Sequence, residues 1–399
     1  MKNTNSILTK LSVLLFAFIA AGDYLISPNR AAMLEEFADA SSFAQSFLVS
    51  GSSLMAIPGS LICGKLANYV SKKNIAVFSC LLVGIAGTLS AIVSGIGAFI
   101  LMRCLTGLGV GFSGAVTYAM IAELYTEEKV CASMMAWYTS VLTVLGILIA
   151  TLGGYLGLYN WHYAFLIYAG SFVVAILGLL FVPGVPPVRS LQSGIIKEKP
   201  KTPFPYKKVI TVCIAGMVAY ALIFVYNYYK GVYVIEEGIG TSLTAGFMSS
   251  CGSVGSFLVG LIFSLFYRKV RAFVPACVFG LLVLICGVLT LNINVVILLC
   301  VGFCGGVLLN TCVSQYFMKV TTIVPQEHVT MASGLMNSFL YMGMFFSPYI
   351  KDGLSAIFGL DSIKSVFLYI AVLGLICCII SLVLALRNRK KTPPETTFE

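Results

Sequence analysis

Gly59-Ser60-Leu61-Ile62-Cys63-Gly64-Lys65-Leu66-Ala67-Asn68-Tyr69-Val70-Ser71-Lys72-Lys73 closes one apolar run of this chain. Gly255-Ser256-Phe257-Leu258-Val259-Gly260, continuing to Arg268-Lys269, closes another. The two glycines, the serine and the basic pair fall at the same offsets in both places. A second echo links Thr126-Glu127-Glu128-Lys129 to Pro325-Gln326-Glu327-His328, again after matching runs. Chance supplies either echo alone; the two together indicate an internal duplication. Repeats of this kind build carriers whose substrate site lies near the midplane, between two rocking halves.

The repeated unit belongs in a bilayer. The 399 residues are 59% hydrophobic and 10% charged, with a mean hydropathy of +0.98. A soluble domain is about 25% charged, and a membrane span needs about 20 apolar residues. Twelve runs qualify, centred near residues 23, 58, 84, 110, 143, 172, 219, 255, 282, 305, 340 and 375. They predict an all-α integral membrane protein, with twelve transmembrane helices in two pseudo-symmetric six-helix bundles. The expected units are residues 1–183, a linker at 184–207 after Pro183, a second bundle at 208–386 and a polar tail at 387–399.

The net charge of +10 does not call for nucleic acid, because most of it falls on one side of the spans. Lys2, Lys10, Lys65, Lys72, Lys73, Lys129, the 189–208 segment, Arg268, Lys269, Arg271, Lys319 and the 387–391 cluster share that side. Arg30, Lys230, Lys351 and Lys364 lie on the other. By the positive-inside rule both termini are expected in the cytoplasm, around a multi-pass protein of the cytoplasmic (inner) membrane. The apolar run after Lys10 continues past Asp23 to about Leu34, longer than a cleaved signal peptide. Thirteen cysteines show no paired-ligand spacing, so neither a metal site nor a disulfide framework is expected. No phosphate-cradling Gly-x-x-x-x-Gly-Lys-Ser/Thr loop and no nucleophile–base set appears, which argues against an enzyme. No cofactor is expected, only an ion gradient, and the chain is expected to work as a monomer.

The loop Gly64-Lys65-Leu66-Ala67-Asn68-Tyr69-Val70-Ser71-Lys72-Lys73 resembles the Gly-x-Leu-Ala-Asp-Arg-x-Gly-Arg-Arg loop of the major facilitator superfamily. The resemblance assigns a cytoplasmic gating loop to Gly64, Leu66, Asn68, Lys72 and Lys73. Gly64 is expected to permit a tight exit from the helix. Asn68 replaces the acidic residue that helps latch the family's halves. Arg103-Cys104-Leu105-Thr106-Gly107-Leu108-Gly109-Val110-Gly111 is similar to the arginine-and-glycine motif of the family's proton-coupled members. Gly153-Gly154 and Trp161-His162-Tyr163-Ala164-Phe165 resemble the end of span five and the start of span six, with His162 in place of an arginine. The Gly-Pro of the exporter subgroup is missing before Gly153.

Asp23 is the costly residue. A carboxylate at the bilayer centre is disfavoured by about 2.5–3.5 kcal/mol, and Asp23 lies mid-span in Ala20-Ala21-Gly22-Asp23-Tyr24-Leu25-Ile26. At about 1.5 Å per residue, Asp23 and Arg103 come out at nearly the same depth, entered from opposite faces. Desolvation favours a neutral carboxyl and a neighbouring guanidinium favours a carboxylate. A group under both pulls suits proton coupling, with Asp23 as carrier and Arg103 as modulator; a permanent structural ion pair is the alternative. Arg30 is expected to snorkel to the headgroups, and Tyr228, Tyr229 and Tyr233 to form an aromatic belt. Glu123 is expected at the gating loop.

Tyr118, Tyr138, Tyr226, Asn227, Asn310, Gln315, Asn337 and Tyr341 are the candidates for a substrate cavity, since polar groups within spans avoid lipid. Three functions fit. The first is a proton-coupled carrier exporting hydrophobic or amphipathic small molecules. The second is a proton symporter importing a small polar or anionic metabolite, and the third a membrane sensor that transports nothing.

Overall fold

The computed structural model describes residues 6–67, 69–125, 127–184, 203–270, 273–291, 293–325 and 329–389. Among them twelve helical spans follow one another: α1 (Ile7–Glu36), α2 (Ser42–Leu66), α3 (Lys72–Leu89), α4 (Ile96–Leu124), α5 (Glu128–Gly157), α6 (Trp161–Phe181), α7 (Tyr206–Glu236), α8 (Ser242–Val270), α9 (Val274–Leu289), α10 (Val295–Ile323), α11 (Val329–Phe358) and α12 (Ile363–Arg389). The linker expected at 184–207 falls largely outside the described residues. Local chemistry sets several helix starts. Ser41, Ser71 and Asn294 each cap the next helix by accepting a backbone N–H. At the other end, Gly238 and Gly359 take left-handed φ values of 65° and 63°, stopping α7 and α11 where a Cβ would be strained.

The outer surface is apolar. On α12, Val372, Leu375, Ile376, Ile379 and Val383 are all exposed. Water would punish a stripe of that length, whereas lipid requires it.

The duplication is visible in the packing. α4 and α10 each have 29 residues, and α5 and α11 each have 30. In the first half, Gly59 lies against the Leu108 carbonyl, Gly107 against Ser52, and Ser60 Oγ donates to the Gly111 carbonyl at 3.4 Å. In the second half, Gly255 lies against the Phe303 carbonyl, Gly302 against Met248, and Ser256 Oγ donates to the Gly306 carbonyl at 2.9 Å. Small residues bring the backbones of α2 and α4, and of α8 and α10, into contact. Both six-helix bundles are therefore built round the same crossing.

Lys10, Lys65, Lys72, Lys73, Lys207, Lys208 and Lys319 mark one end of the molecule, here the basic face. The bonds joining the two halves lie towards the opposite face. Thr151 and Ser250 hydroxyls meet at 2.9 Å, Ser53 Oγ and Tyr228 Oη at 3.1 Å, and Ser46 bonds Asp352. Arg30 donates to the Tyr228 carbonyl, and Phe43 packs on Tyr349 with ring centroids 5.6 Å apart. α5 and α8 touch through glycine. A Cβ at Gly154 would stand 2.6 Å from the Ser242 carbonyl, and one at Gly246 2.6 Å from the Ala150 carbonyl. The halves are thus shut at the face away from the basic loops.

Candidate functional site

α1 is not a uniform helix. Two α-helical pieces, Ile7–Leu15 and Ala17–Ala21, lead into a 3₁₀ turn at Gly22–Leu25 before Ile26–Glu36 resumes. Tightening of this kind inside a span often marks a working part, and Asp23 sits in it. Its Oδ1 is 3.2 Å from Nη1 of Arg103. The second guanidinium nitrogen of Arg103 donates to Ser52 Oγ at 2.7 Å. Gly107, one turn along α4 from Arg103, explains that reach, because its missing Cβ lets α4 lie directly on the Ser52 backbone. Tyr168 of α6 supplies a third contact, its hydroxyl donating to Asp23 Oδ1 at 3.4 Å. The tyrosine ring lies between Gly22 and Gly87, where any side chain would collide with it.

The exposures of the pair differ. The Arg103 side chain is 3% exposed and that of Asp23 is 29% exposed. The cation is enclosed by protein while the carboxylate keeps an opening.

Around Asp23 lies a set of phenols. Tyr118 and Tyr138 pack edge to face at 5.1 Å, and Tyr118 bonds Thr139. Tyr341 is within electrostatic reach of Asp23 and Tyr118, and Tyr220 of Tyr24, Tyr228 and Tyr341. Tyr24 bonds Ser253 across the two halves. Of the sequence candidates, Tyr341 lies near Asp23; Tyr118 and Tyr138 adjoin Tyr341, and Tyr138 is buried and bonded to Thr117 of α4.

The remaining sequence candidates are placed as follows. Tyr226 is fully buried in the second half, donating to the Val301 carbonyl at 3.2 Å with its ring against Gly305. Asn310 is an interhelical staple: its Nδ2 donates to the Ser256 carbonyl at 2.5 Å and its Oδ1 accepts from Ser314 at 3.0 Å. Gln315 is wholly buried with both amide atoms unpartnered, and Asn227 bonds its own helix and Lys230. Asn337 is half-buried on α11. Arg30 does not snorkel. It is 1% exposed, with its guanidinium 4.1 Å from the Tyr228 ring centroid, because the α1–α7 contact covers it. Tyr228 and Tyr229 are buried there too, while Tyr233 is buried inside the second half against Leu289 and Phe367, so the three form no belt.

At the basic face, Lys72 pairs with Glu123 of α4, and Lys73 donates to the Leu179 carbonyl at 2.8 Å. Leu66 packs against the core at the end of α2. Gly64 makes no turn: it lies inside α2 with open space where its side chain would be. Asn68 lies outside the described residues. Sequence reasoning missed Ser52, Tyr168 and Asp352. For Tyr168 the available signal was Gly22 beside Asp23, a small residue making room for a ring.

Against this geometry, a profile of the Major Facilitator Superfamily matches residues 12–348. The chain belongs to the Major Facilitator Superfamily. It is a multi-pass, all-helical membrane protein of that superfamily. The chloramphenicol resistance protein CraA of Acinetobacter baumannii is 27% identical over 184 residues, covering 45% of this chain and 42% of CraA. The multidrug transporter MdfA of Edwardsiella ictaluri is 29% identical over 119 residues, covering 30% of this chain and 29% of MdfA. The chain thus spans less than half the length of these curated relatives. Among solved structures, the nucleoside transporter NupG superposes with a TM-score of 0.77 over 95% of this chain and 99% of its own, at 13% identity. That likeness is one of fold.

Proposed function

We propose that this superfamily member is a proton-coupled secondary transporter that exports hydrophobic or amphipathic small molecules by alternating access. One observation carries the reading: a mid-span carboxylate, Asp23, is held at 3.2 Å by an enclosed arginine yet remains 29% exposed. A buried carboxylate is expensive unless it is paired or neutralised, and here both routes are open to it. The phenols near Asp23 give an apolar lining with polar tips, which suits amphipathic cargo. The names of CraA and MdfA favour drug-like substrates and outward transport. The basic face is the cytoplasmic one, with both termini there, because the excess of Lys and Arg lies on it. The proton gradient supplies the energy, and the chain works as a monomer. Asp23 carries the proton, Arg103 modulates it, and Tyr118, Tyr138 and Tyr341 line the route of the substrate.

The test uses purified protein in inside-out vesicles, with radiolabelled chloramphenicol as probe. An interior-acid pH gradient drives uptake by the wild type and not by Asp23→Asn. Equal driven uptake by the two, at matched insertion, refutes the coupling role. Accumulation only under the reversed gradient makes the protein an importing symporter.

A further inference from the structure

We infer that Tyr168 is a positioning residue for the proton: with Arg103 it holds Oδ1 of Asp23, so that Oδ2 is the oxygen that is protonated. This rests on the reading of Asp23 as the proton carrier.

Two donors converge on one oxygen. Arg103 Nη1 reaches Oδ1 at 3.2 Å and the Tyr168 hydroxyl reaches it at 3.4 Å. Among the described residues Oδ2 accepts no hydrogen bond, while the side chain as a whole keeps its opening. A proton arriving through that opening meets a carboxylate with one oxygen already engaged. It forms an O–H bond at Oδ2, and Oδ1 becomes the carbonyl oxygen, still accepting from Tyr168. The phenol keeps its own proton throughout, and the proton leaves by the same oxygen.

The fold is built to keep the phenol there. Tyr168 is 1% exposed, and its ring occupies a slot that exists because residue 22 of α1 and residue 87 of α3 are both glycine. Three helices are therefore shaped round this one ring, and its polar tip faces Asp23 and Arg103. The slot sets the ring, the ring sets the hydroxyl, and the hydroxyl selects the oxygen.

The other groups facing Asp23 do not duplicate the role. Arg103 on α4 is the ion-pair partner. Arg30 on α1, Tyr228 on α7 and Tyr341 on α11 act on Asp23 through space. α2 contributes Ser52, whose hydroxyl is taken by Arg103. α5, packed along the Gly22–Leu25 turn, offers Gly146 beside Tyr24.

The experiment is pH-titrated infrared difference spectroscopy on the full chain in lipid, with no substrate added. Wild type, Tyr168→Phe, Asp23→Asn and the double variant are compared. The wild type is expected to show a protonated-carboxyl C=O band that Asp23→Asn lacks. A donor to Oδ1 weakens the C=O bond of the protonated acid, so the frequency of that band reports the Tyr168 contact. In Tyr168→Phe the C=O frequency should rise, because Oδ1 loses a hydrogen-bond donor. Tyr168→Phe keeps the ring in its slot, and an unchanged melting temperature checks the fold. A band with the wild-type frequency in Tyr168→Phe overturns this inference and leaves the carrier reading intact. A wild type with no Asp23-dependent band overturns the carrier reading, and the inference with it.

Discussion

Gly246→Ala should open the face that the structure shows shut. The new Cβ would lie 2.6 Å from the Ala150 carbonyl oxygen, with the Ala150 carbonyl carbon at 3.4 Å. The obstacle is backbone, so no side chain can swing aside. α5 and α8 must part by about 0.8 Å to restore ordinary contact, and overpacking of this size costs about 1–3 kcal/mol. Only the arrangement in which α5 and α8 touch at this face bears that cost. At about 1.4 kcal/mol per factor of ten, the balance shifts roughly 5- to 150-fold towards the arrangement open there. The assay is a spin-label distance distribution between Phe43 and Phe358, both exposed near this face, in a background freed of the thirteen cysteines. The wild type should give one short distance, and Gly246→Ala a second, longer population. Gly107→Ala is the control, because its clash with Ser52 lies within one half and burdens both arrangements alike. That variant should lower the melting temperature and leave the distances alone. Unchanged distances in Gly246→Ala, or equal shifts in both variants, would refute the argument.

Arg103→Lys should lose about ten- to a hundredfold of gradient-driven flux, because an ammonium lacks the planar fork that holds Ser52 and Asp23 at once; flux near wild type would show that charge alone suffices. Tyr226→Phe removes only the bond to the Val301 carbonyl, so stability should fall by about 1 kcal/mol in chemical denaturation. Its apparent KM should not change, and a changed KM would put Tyr226 back at the substrate. Glu123→Gln breaks the pair with Lys72, whose acid partner is 35% exposed. The loss should be at most about 1 kcal/mol, read as a small drop in melting temperature, and a collapse of insertion would contradict that placement.

The twelve spans and the duplication were legible because membranes constrain composition so strongly. Length, hydropathy and the Gly59/Gly255 echo suffice, and the echo turned out to mark the same α2–α4 and α8–α10 crossing. The Asp23–Arg103 pair was legible by depth, since rise per residue converts sequence position into height. Azimuth was not legible. Tyr226 and Asn310 sit at suitable heights but point into the helix contacts of their own half, and no single-sequence signal separates that face from the cavity face. Arg30 failed for a related reason. Its closeness to a span end suggested headgroups, whereas the partner that covers it, Tyr228, lies 198 residues away and is brought there only by the docking of the two halves.

The 3₁₀ turn at Gly22–Leu25 connects these observations. Before it, Ile7–Ala21 of α1 packs on α5 and α6 of its own half. After it, Ile26–Glu36 packs both on α7 and α8 of the other half, with the Ser27 carbonyl tight against Gly231 and Arg30 covered by Tyr228, and on α5 and α6 of its own half, where Asn29 donates to the Gly153 carbonyl and Trp161 to Glu36. Asp23 therefore stands just before the segment of α1 that touches both halves. Separating the halves at the shut face must either drag the second segment of α1 away from α7 or bend α1 at this turn. Bending there changes the direction in which Asp23 leaves the backbone, and with it the distances to Arg103 and Tyr168, both of which stay with the first half. Asp23 and Arg30, the cation that reaches the other half, thus share one helix, two turns apart, with the tightened segment holding the first of them. On the proposed reading of Asp23, a bend in α1 at this turn would move its carboxylate and Arg30 together.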